Sequence, residues 1–189
     1  MALGFYFDMT SCSGCRTCQI ACKDKNDLPI GTLYRHEETY ETGTFPTPGV
    51  FHLSVSCNHC ENPACLAACA SGAIYKTEDG IVLIDADMCD GCGACVEICP
   101  YGAPKMLETG VAGKCDSCIS IRANGNKPQC VAGCPMRALE FGELDELKAA
   151  HPDAVSISEI GVMPADVTAP TTLVSLKANA KDEARNANL

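Results

Sequence analysis

Sixteen cysteines in this chain of 189 residues fall into four groups of four, with none left over. The groups are Cys12/Cys15/Cys18/Cys22, Cys57/Cys60/Cys65/Cys69, Cys89/Cys92/Cys95/Cys99 and Cys115/Cys118/Cys130/Cys134. Each opens with C-x2-C and closes with C-x3-C. The first and third run C-x2-C-x2-C-x3-C, while the second widens the middle gap to four residues and the fourth to eleven. Thiolates spaced this closely suit an iron–sulfur cubane, whose four irons share one small volume and each take one sulfur from the chain. Four thiolates per cubane account for all sixteen cysteines, so the sequence implies four [4Fe-4S] clusters. No iron is then left open to a substrate, which points to electron transfer and away from catalysis.

Two other uses of so many cysteines compete. Disulfide scaffolds are short secreted chains that cannot build a core, and they spread their partners along the sequence. This chain is longer and twice packs three cysteines into seven residues. Zinc is the stronger rival, because C-x2-C pairs bind it well. Structural zinc sites join two separated pairs and do not need a third cysteine two residues on. The fourth group, C-x2-C-x11-C-x3-C, is the least specific of the set. Iron–sulfur ligation explains all four groups together.

Bulk composition narrows the rest. Hydrophobic residues make up 47 %, but tryptophan is absent and aromatics are few, so the apolar core is expected to be thin. Metal ligation would then supply much of the folding free energy. The longest aliphatic run, Ile81-Val82-Leu83-Ile84, is far too short to span a bilayer. The opening residues lack the charged and apolar regions of a secretory signal, and no twin-arginine pair occurs. A formal charge of −10 argues against nucleic acid as a partner. Cluster loading deepens it: at about −2 per cubane with its thiolates, the total falls to about −18. Such a surface favours basic partner subunits, or partners that offer backbone N–H donors.

The elements that must hold the cysteines are short. The third and fourth cysteines of each group lie one helical turn apart. Segments 16–23, 63–70 and 93–98 fit helices that begin inside the cysteine loops. Extended stretches are expected at 4–8, 51–56, 73–76, 81–85 and 138–141, with a hairpin turning at Glu78-Asp79-Gly80. The polar segment 23–56 reads as a surface loop or small excursion, 143–150 as a helix, 171–176 as a strand, and 181–189 as a frayed end. Helices mixed with antiparallel strands indicate an α+β fold.

In two-motif iron–sulfur folds the fourth cysteine of one motif ligates the other cluster. Four motifs can pair consecutively or be nested. Thirty-four residues separate Cys22 from Cys57, but only nineteen separate Cys69 from Cys89. The spacing favours nesting, with the second group partnering the third and the first partnering the fourth. That division gives an outer unit of residues 1–56 and 100–150, an inner unit of residues 57–99 and a C-terminal extension of residues 151–189.

Residues beyond the cysteine spacing carry a resemblance. They are Cys12-Ser13-Gly14-Cys15-Arg16-Thr17-Cys18, Ser56-Cys57-Asn58-His59-Cys60-Glu61-Asn62-Pro63-Ala64-Cys65, Cys99-Pro100-Tyr101-Gly102-Ala103-Pro104 and Cys134-Pro135-Met136-Arg137-Ala138-Leu139-Glu140-Phe141-Gly142. With them the chain resembles the iron–sulfur electron-transfer subunit of the dimethyl sulfoxide reductase family of molybdopterin oxidoreductases. The likeness spans nearly the whole chain and is weakest after about residue 150. The resemblance implies two nested, ferredoxin-like two-cluster units with loop insertions and a C-terminal tail. It also implies a ligand set: Cys12, Cys15, Cys18 and Cys134 on cluster 1; Cys22, Cys115, Cys118 and Cys130 on cluster 2; Cys57, Cys60, Cys65 and Cys99 on cluster 3; Cys69, Cys89, Cys92 and Cys95 on cluster 4. One departure is Ala70, where relatives have proline after the second group's last cysteine; that residue shapes the backbone and binds no iron.

The resemblance implies a role without catalysis, relaying electrons between a membrane quinol-oxidising subunit and a molybdopterin-containing catalytic subunit. Related subunits serve formate dehydrogenases, hydrogenases and polysulfide, thiosulfate or tetrathionate reductases, and the motifs do not separate these. A chain of this kind is expected at the cytoplasmic membrane without spanning it, on the periplasmic side if co-exported with its catalytic subunit and otherwise on the cytoplasmic side. Three further residues stand near the motifs. His59 is expected to hydrogen-bond or face solvent and not to ligate. Lys105 and Lys114 flank the third and fourth groups, either as solvated lysines or as charges that raise a cluster's potential.

Overall fold

Three aromatic or tyrosyl side chains in a row, Phe5, Tyr6 and Phe7, leave no polar face on the first strand. In the structure, a computed structural model describing residues 2–165 and 167–187, that strand, β1 (Leu3–Asp8), is accordingly buried on both faces. A strand covered on both sides belongs inside a sheet. β1 pairs antiparallel with β8 (Leu139–Glu143) and parallel with β10 (Leu173–Ser175), and β9 (Val155–Ser156) completes the order β8-β1-β10-β9. Phe5 faces Phe141 across the ladder, with ring centroids 4.8 Å apart in an edge-on arrangement.

A second sheet corrects one expectation. The polar segment 23–56, read as a surface loop, contains β2 (His36–Thr42), which pairs over its whole length with β3 (Gly49–Val55). The strand β2 hides from a pattern reading because its sequence, His-Glu-Glu-Thr-Tyr-Glu-Thr, is almost wholly polar. Its partner carries the apolar side: Phe51 and Leu53 are fully buried, and Tyr40 stacks on Phe51 at 5.1 Å. The end of the sequence is corrected too. Residues 184–186, expected to fray, form β11 (Ala184–Asn186), which adds to β2 so that the order is β11-β2-β3. The last two residues of that stretch, 188 and 189, lie outside the described residues.

Two small antiparallel pairs complete the strands: β4 (Ile74–Lys76) with β5 (Val82–Ile84), the expected hairpin, and β6 (Lys105–Met106) with β7 (Ala112–Gly113). The helices are short. α1 (Thr17–Lys25) has nine residues, α6 (Leu144–Ala150) has seven, and α2 (Ala64–Ala67), α3 (Ala94–Ile98), α4 (Ile119–Arg122) and α5 (Gln129–Ala132) each make about one turn. Single turns do not persist alone in water. Here they pack in pairs, α1 on α5 and α2 on α3, and each pair presents cysteines to the interior. The result is a mixed fold of short helices and small sheets, in which the sheets form walls and the helices carry ligands.

Candidate metal centres

Four neighbourhoods of thiols emerge from this packing, and we number them 1 to 4. At site 1, Cys12, Cys15, Cys18 and Cys134 line one cavity of about 330 Å³. At site 3, Cys57, Cys60, Cys65 and Cys99 line a cavity of about 370 Å³. At site 4, Cys69, Cys89, Cys92 and Cys95 line a cavity of about 300 Å³. Site 2 is drawn tighter. Cys22 feels the charges of Cys130 and Cys118, Cys115 feels those of Cys130 and Cys22, and all four side chains are buried. Among the described residues, no three His, Cys, Asp or Glu side chains close on a single point to hold one ion. The sulfurs stand around a space instead, as a polynuclear centre requires.

Helix geometry makes this sharing of cysteines possible. Cys18 and Cys22 lie one turn apart on α1, so the first reaches site 1 and the second reaches site 2. Cys130 on α5 and Cys134 just after it divide the other way. The pair α2 and α3 repeats the pattern: Cys65 and Cys69 go to sites 3 and 4, and Cys95 and Cys99 go to sites 4 and 3.

Backbone curvature aims donors at the sulfurs. In all four C-x-x-C loops the third residue has a positive φ: Gly14 at 68°, His59 at 43°, Gly91 at 70° and Ser117 at 53°. The curl turns successive N–H groups inward as an anion-binding nest. Gly14 N–H donates to Cys12 Sγ at 3.5 Å, and Ser117 N–H donates to Cys115 Sγ at 3.4 Å. Ala138 N–H reaches Cys134 Sγ at 3.3 Å, and Ala112 N–H reaches Cys89 Sγ at 3.5 Å. Side chains add to these. Thr168 Oγ1 donates to Cys60 Sγ at 3.2 Å, and the Ser54 hydroxyl lies 3.4 Å from Cys18 Sγ. Hydrogen bonds of this kind favour negative charge on sulfur and help set a cluster's potential.

Burial acts in the opposite sense. It pushes the Cys22 thiol up to about 11, Cys12 to about 11, Cys65 to about 12 and Cys115 higher still. Such thiols ionise when metal replaces the proton, so loading iron releases protons. Cys57 differs. Burial would raise it, but the charges of His59 and Lys114 outweigh that and hold it at about 5. Cys15 is also held below the ordinary thiol range, by hydrogen bonds from Thr17.

The sites follow one another. Cys18 of site 1 lies within the field of Cys130 of site 2, and Cys115 of site 2 lies within that of Cys57 of site 3. Cys65 of site 3 packs in one apolar cluster with Cys69, Cys89 and Cys95 of site 4. Only two of the sixteen cysteines are exposed, Cys15 at site 1 and Cys92 at site 4.

Residues flanking the motifs behave unequally. His59 is fully buried, and its Nδ1 accepts the Val82 N–H at 3.1 Å, so it is a hydrogen-bonding residue and not a solvent-facing one. Lys114 is buried, not solvated; it donates to the carbonyls of Val82 and Cys115. Lys105 is half-buried at the rim of an open groove shared with Arg16, His36 and Glu37. Two buried charges escaped the sequence reading. Glu37 pairs with Arg16 at 3.0 Å and with His52 at 3.1 Å beside site 1, and Arg35 lies between sites 1 and 2. Neither sits inside a cysteine motif, and a lone charged residue reads as solvated surface.

Comparison with known proteins agrees with these centres. Residues 49–144 match the family model of a 4Fe-4S dicluster domain. Over 187 residues the chain is 44 % identical to the iron–sulfur chain of the anaerobic dimethyl sulfoxide reductase of Escherichia coli K12, covering 94 % of this chain and 90 % of the relative. It is 40 % identical to the corresponding dimethyl sulfoxide reductase chain of Haemophilus influenzae, covering 90 % and 87 %. A thiosulfate reductase electron transfer subunit from Salmonella typhi is 42 % identical, covering 74 % of each. The chain therefore belongs to the 4Fe-4S dicluster family, and within it to the iron–sulfur chains of anaerobic dimethyl sulfoxide reductases, which serve electron transport with [4Fe-4S] clusters.

Proposed function

We propose that this chain is the relay subunit of a dimethyl sulfoxide reductase-like complex, holding four [4Fe-4S] clusters in the order of sites 1 to 4. The ligands are Cys12, Cys15, Cys18 and Cys134 for the first; Cys22, Cys115, Cys118 and Cys130 for the second; Cys57, Cys60, Cys65 and Cys99 for the third; Cys69, Cys89, Cys92 and Cys95 for the fourth. The outer unit, residues 1–56 and 100–150, would enclose the inner unit, residues 57–99.

The observation that carries this reading is the distribution of exposure along the sites. Site 2 is wholly buried, while sites 1 and 4 each bring one cysteine, Cys15 and Cys92, to the surface. Electron tunnelling falls steeply with distance, so a wire must approach the surface where its donor and acceptor dock and be insulated between. Exposed apolar side chains lie beside both ends, Met136 on the wall of site 1 and Met88 next to Cys89 of site 4. One end would meet a molybdopterin catalytic subunit and the other a membrane subunit that oxidises quinol. No helix among the described residues is long and apolar enough to cross a membrane, which suits a peripheral place in the complex. Its place on the periplasmic side would follow from co-export with the catalytic subunit.

Anaerobic purification of the complex tests this. About sixteen iron and about sixteen acid-labile sulfide per chain are expected, together with a large subunit that contains molybdopterin. A content of about half that, or stoichiometric zinc, would overturn the cluster count. Sulfoxide reduction by the isolated chain with an artificial donor would overturn the non-catalytic role. A second reading, a relay in a thiosulfate reductase, is favoured by the Salmonella typhi relative; the substrate of the co-purified large subunit decides between the two.

A further inference from the structure

Arg35 is the most costly side chain in the molecule. It is only 2 % exposed. Its Nη1 donates to the Ser54 carbonyl at 3.3 Å and the Ser54 hydroxyl at 3.1 Å, while Nε and Nη2 find no partner. One face of the guanidinium lies over the Phe5 ring, 4.7 Å from its centroid. Among the described residues no carboxylate forms an ion pair with it. A buried cation with orphaned N–H groups is strongly destabilising unless opposite charge compensates it. The residues that can supply that charge are cysteines. Burial works against the Arg35 cation, but Cys130, Cys115, Cys18 and Cys22 together outweigh it. One of these belongs to site 1 and three to site 2. Ser54 anchors the guanidinium to site 1 directly, since its hydroxyl also touches Cys18 Sγ and it lines the site 1 cavity.

We propose that Arg35 is the fixed charge that sets the reduction potentials of the clusters at sites 1 and 2, most strongly at site 2. This rests on the relay reading above. Reduction adds one electron to a cluster and makes it one unit more negative, with no bond made or broken at Arg35. A cation that cannot lose its proton and is shielded from salt stabilises the reduced form more than the oxidised one. It therefore raises the potential of its neighbours relative to site 4, whose cysteines are not among the charges acting on Arg35. The same charge compensates the buried thiolates of site 2 and is itself compensated only once they are ionised.

The test is a redox titration of the loaded complex, followed by electron paramagnetic resonance, for wild type, Arg35→Lys, Arg35→Gln and Arg35→Met. Both uncharged variants are expected to lower the site 2 midpoint by at least about tenfold in the reduction equilibrium, about 59 mV for one electron. Site 1 should shift in the same direction by less, and site 4 should not move. Arg35→Lys should stay near wild type. Unmoved midpoints at full iron content would overturn the proposal and leave the relay standing, whereas a wild-type chain without iron would overturn the relay itself. Equal shifts in Arg35→Lys and Arg35→Gln would also overturn it, because packing and not charge would then be the cause. If both uncharged variants lose the site 2 iron while Arg35→Lys keeps it, the charge retains the cluster and does not tune it, and the proposal fails.

Discussion

Sites 2 and 4 have the same ligand chemistry, four cysteines each, and opposite surroundings. At site 2 every cysteine is buried, and burial pushes the Cys22 and Cys115 thiols far up. At site 4, Cys92 is exposed and Cys69 is held below the ordinary thiol range, the small effect of burial being outweighed by hydrogen bonds from Ser71 and nearby backbone N–H groups. The interior site must be neutralised by the protein, and Arg35 is placed to do so. The end site is neutralised largely by water and backbone dipoles. Ligand identity thus decides what is bound, while depth decides what else the chain must provide.

The largest expected effect follows from that difference. Cys130→Ser removes a buried ligand and leaves Arg35 and the remaining site 2 thiols without their counterpart. Breaking a compensated buried charge costs about 3–5 kcal/mol, on a chain whose folding depends on metal. We expect little soluble, folded protein and a loss of iron beyond one cluster. Cys92→Ser should instead give a folded chain short of about four iron. Circular dichroism and iron analysis on both variants measure the contrast; equal losses would erase the distinction between interior and end.

Much of site 4 was legible in the sequence, and little of what surrounds site 2 was. The hairpin of β4 and β5 announces itself by the turn Glu78-Asp79-Gly80 and the apolar run after it, and Gly91 marks the curled loop. The same curl occurs at His59 and Ser117, where no glycine advertises it. Around site 2 the contributors come from distant segments. Arg35 precedes a strand whose polar sequence looks like a loop, and its compensating sulfurs lie on α1, on α5 and before α4. The strand β10 joins β1 in parallel from far along the sequence, and β11 covers β2 from further still. Pairings of that separation leave no local trace. The ligand grouping was readable because cysteine spacing is local, whereas the charge balance depends on which groups meet in space.

A smaller effect should separate two glycines of the same loop at site 4. Gly91 has a φ of 70°, and a Cβ there would fall 2.2 Å from the Gly110 carbonyl oxygen, which is backbone and cannot step aside. Gly93 has a φ of 78° but opens onto free space. Gly93→Ala should cost only the left-handed backbone penalty, about 1–2 kcal/mol. Gly91→Ala adds the clash and should displace the loop of Gly110 or empty site 4. Denaturant melts with iron retention follow both, and similar melts would show that the loop yields more easily than its geometry implies.

The smallest effect concerns single hydrogen bonds to sulfur. Thr168 is nearly inaccessible and donates to Cys60 Sγ of site 3 at 3.2 Å, while Ser71 is half-buried and lies 3.6 Å from Cys69 Sγ of site 4. Each donor steadies negative charge on its sulfur, so removing either should make its cluster harder to reduce. At site 3 no solvent stands ready to replace the lost hydroxyl, and Thr168→Val should lower the midpoint by up to about tenfold in the reduction equilibrium. At site 4 a water can take the place of Ser71 at little cost, since a bridging water is nearly as good a donor as the group it replaces. Ser71→Ala should therefore move its midpoint by about threefold or less. Titrating the two variants side by side isolates the effect of depth from that of donor chemistry, because a hydroxyl is removed in both. A Ser71→Ala shift as large as that of Thr168→Val would mean that site 4 is as dry as site 3, which would be expected only if a partner subunit covers Cys92 in the complex.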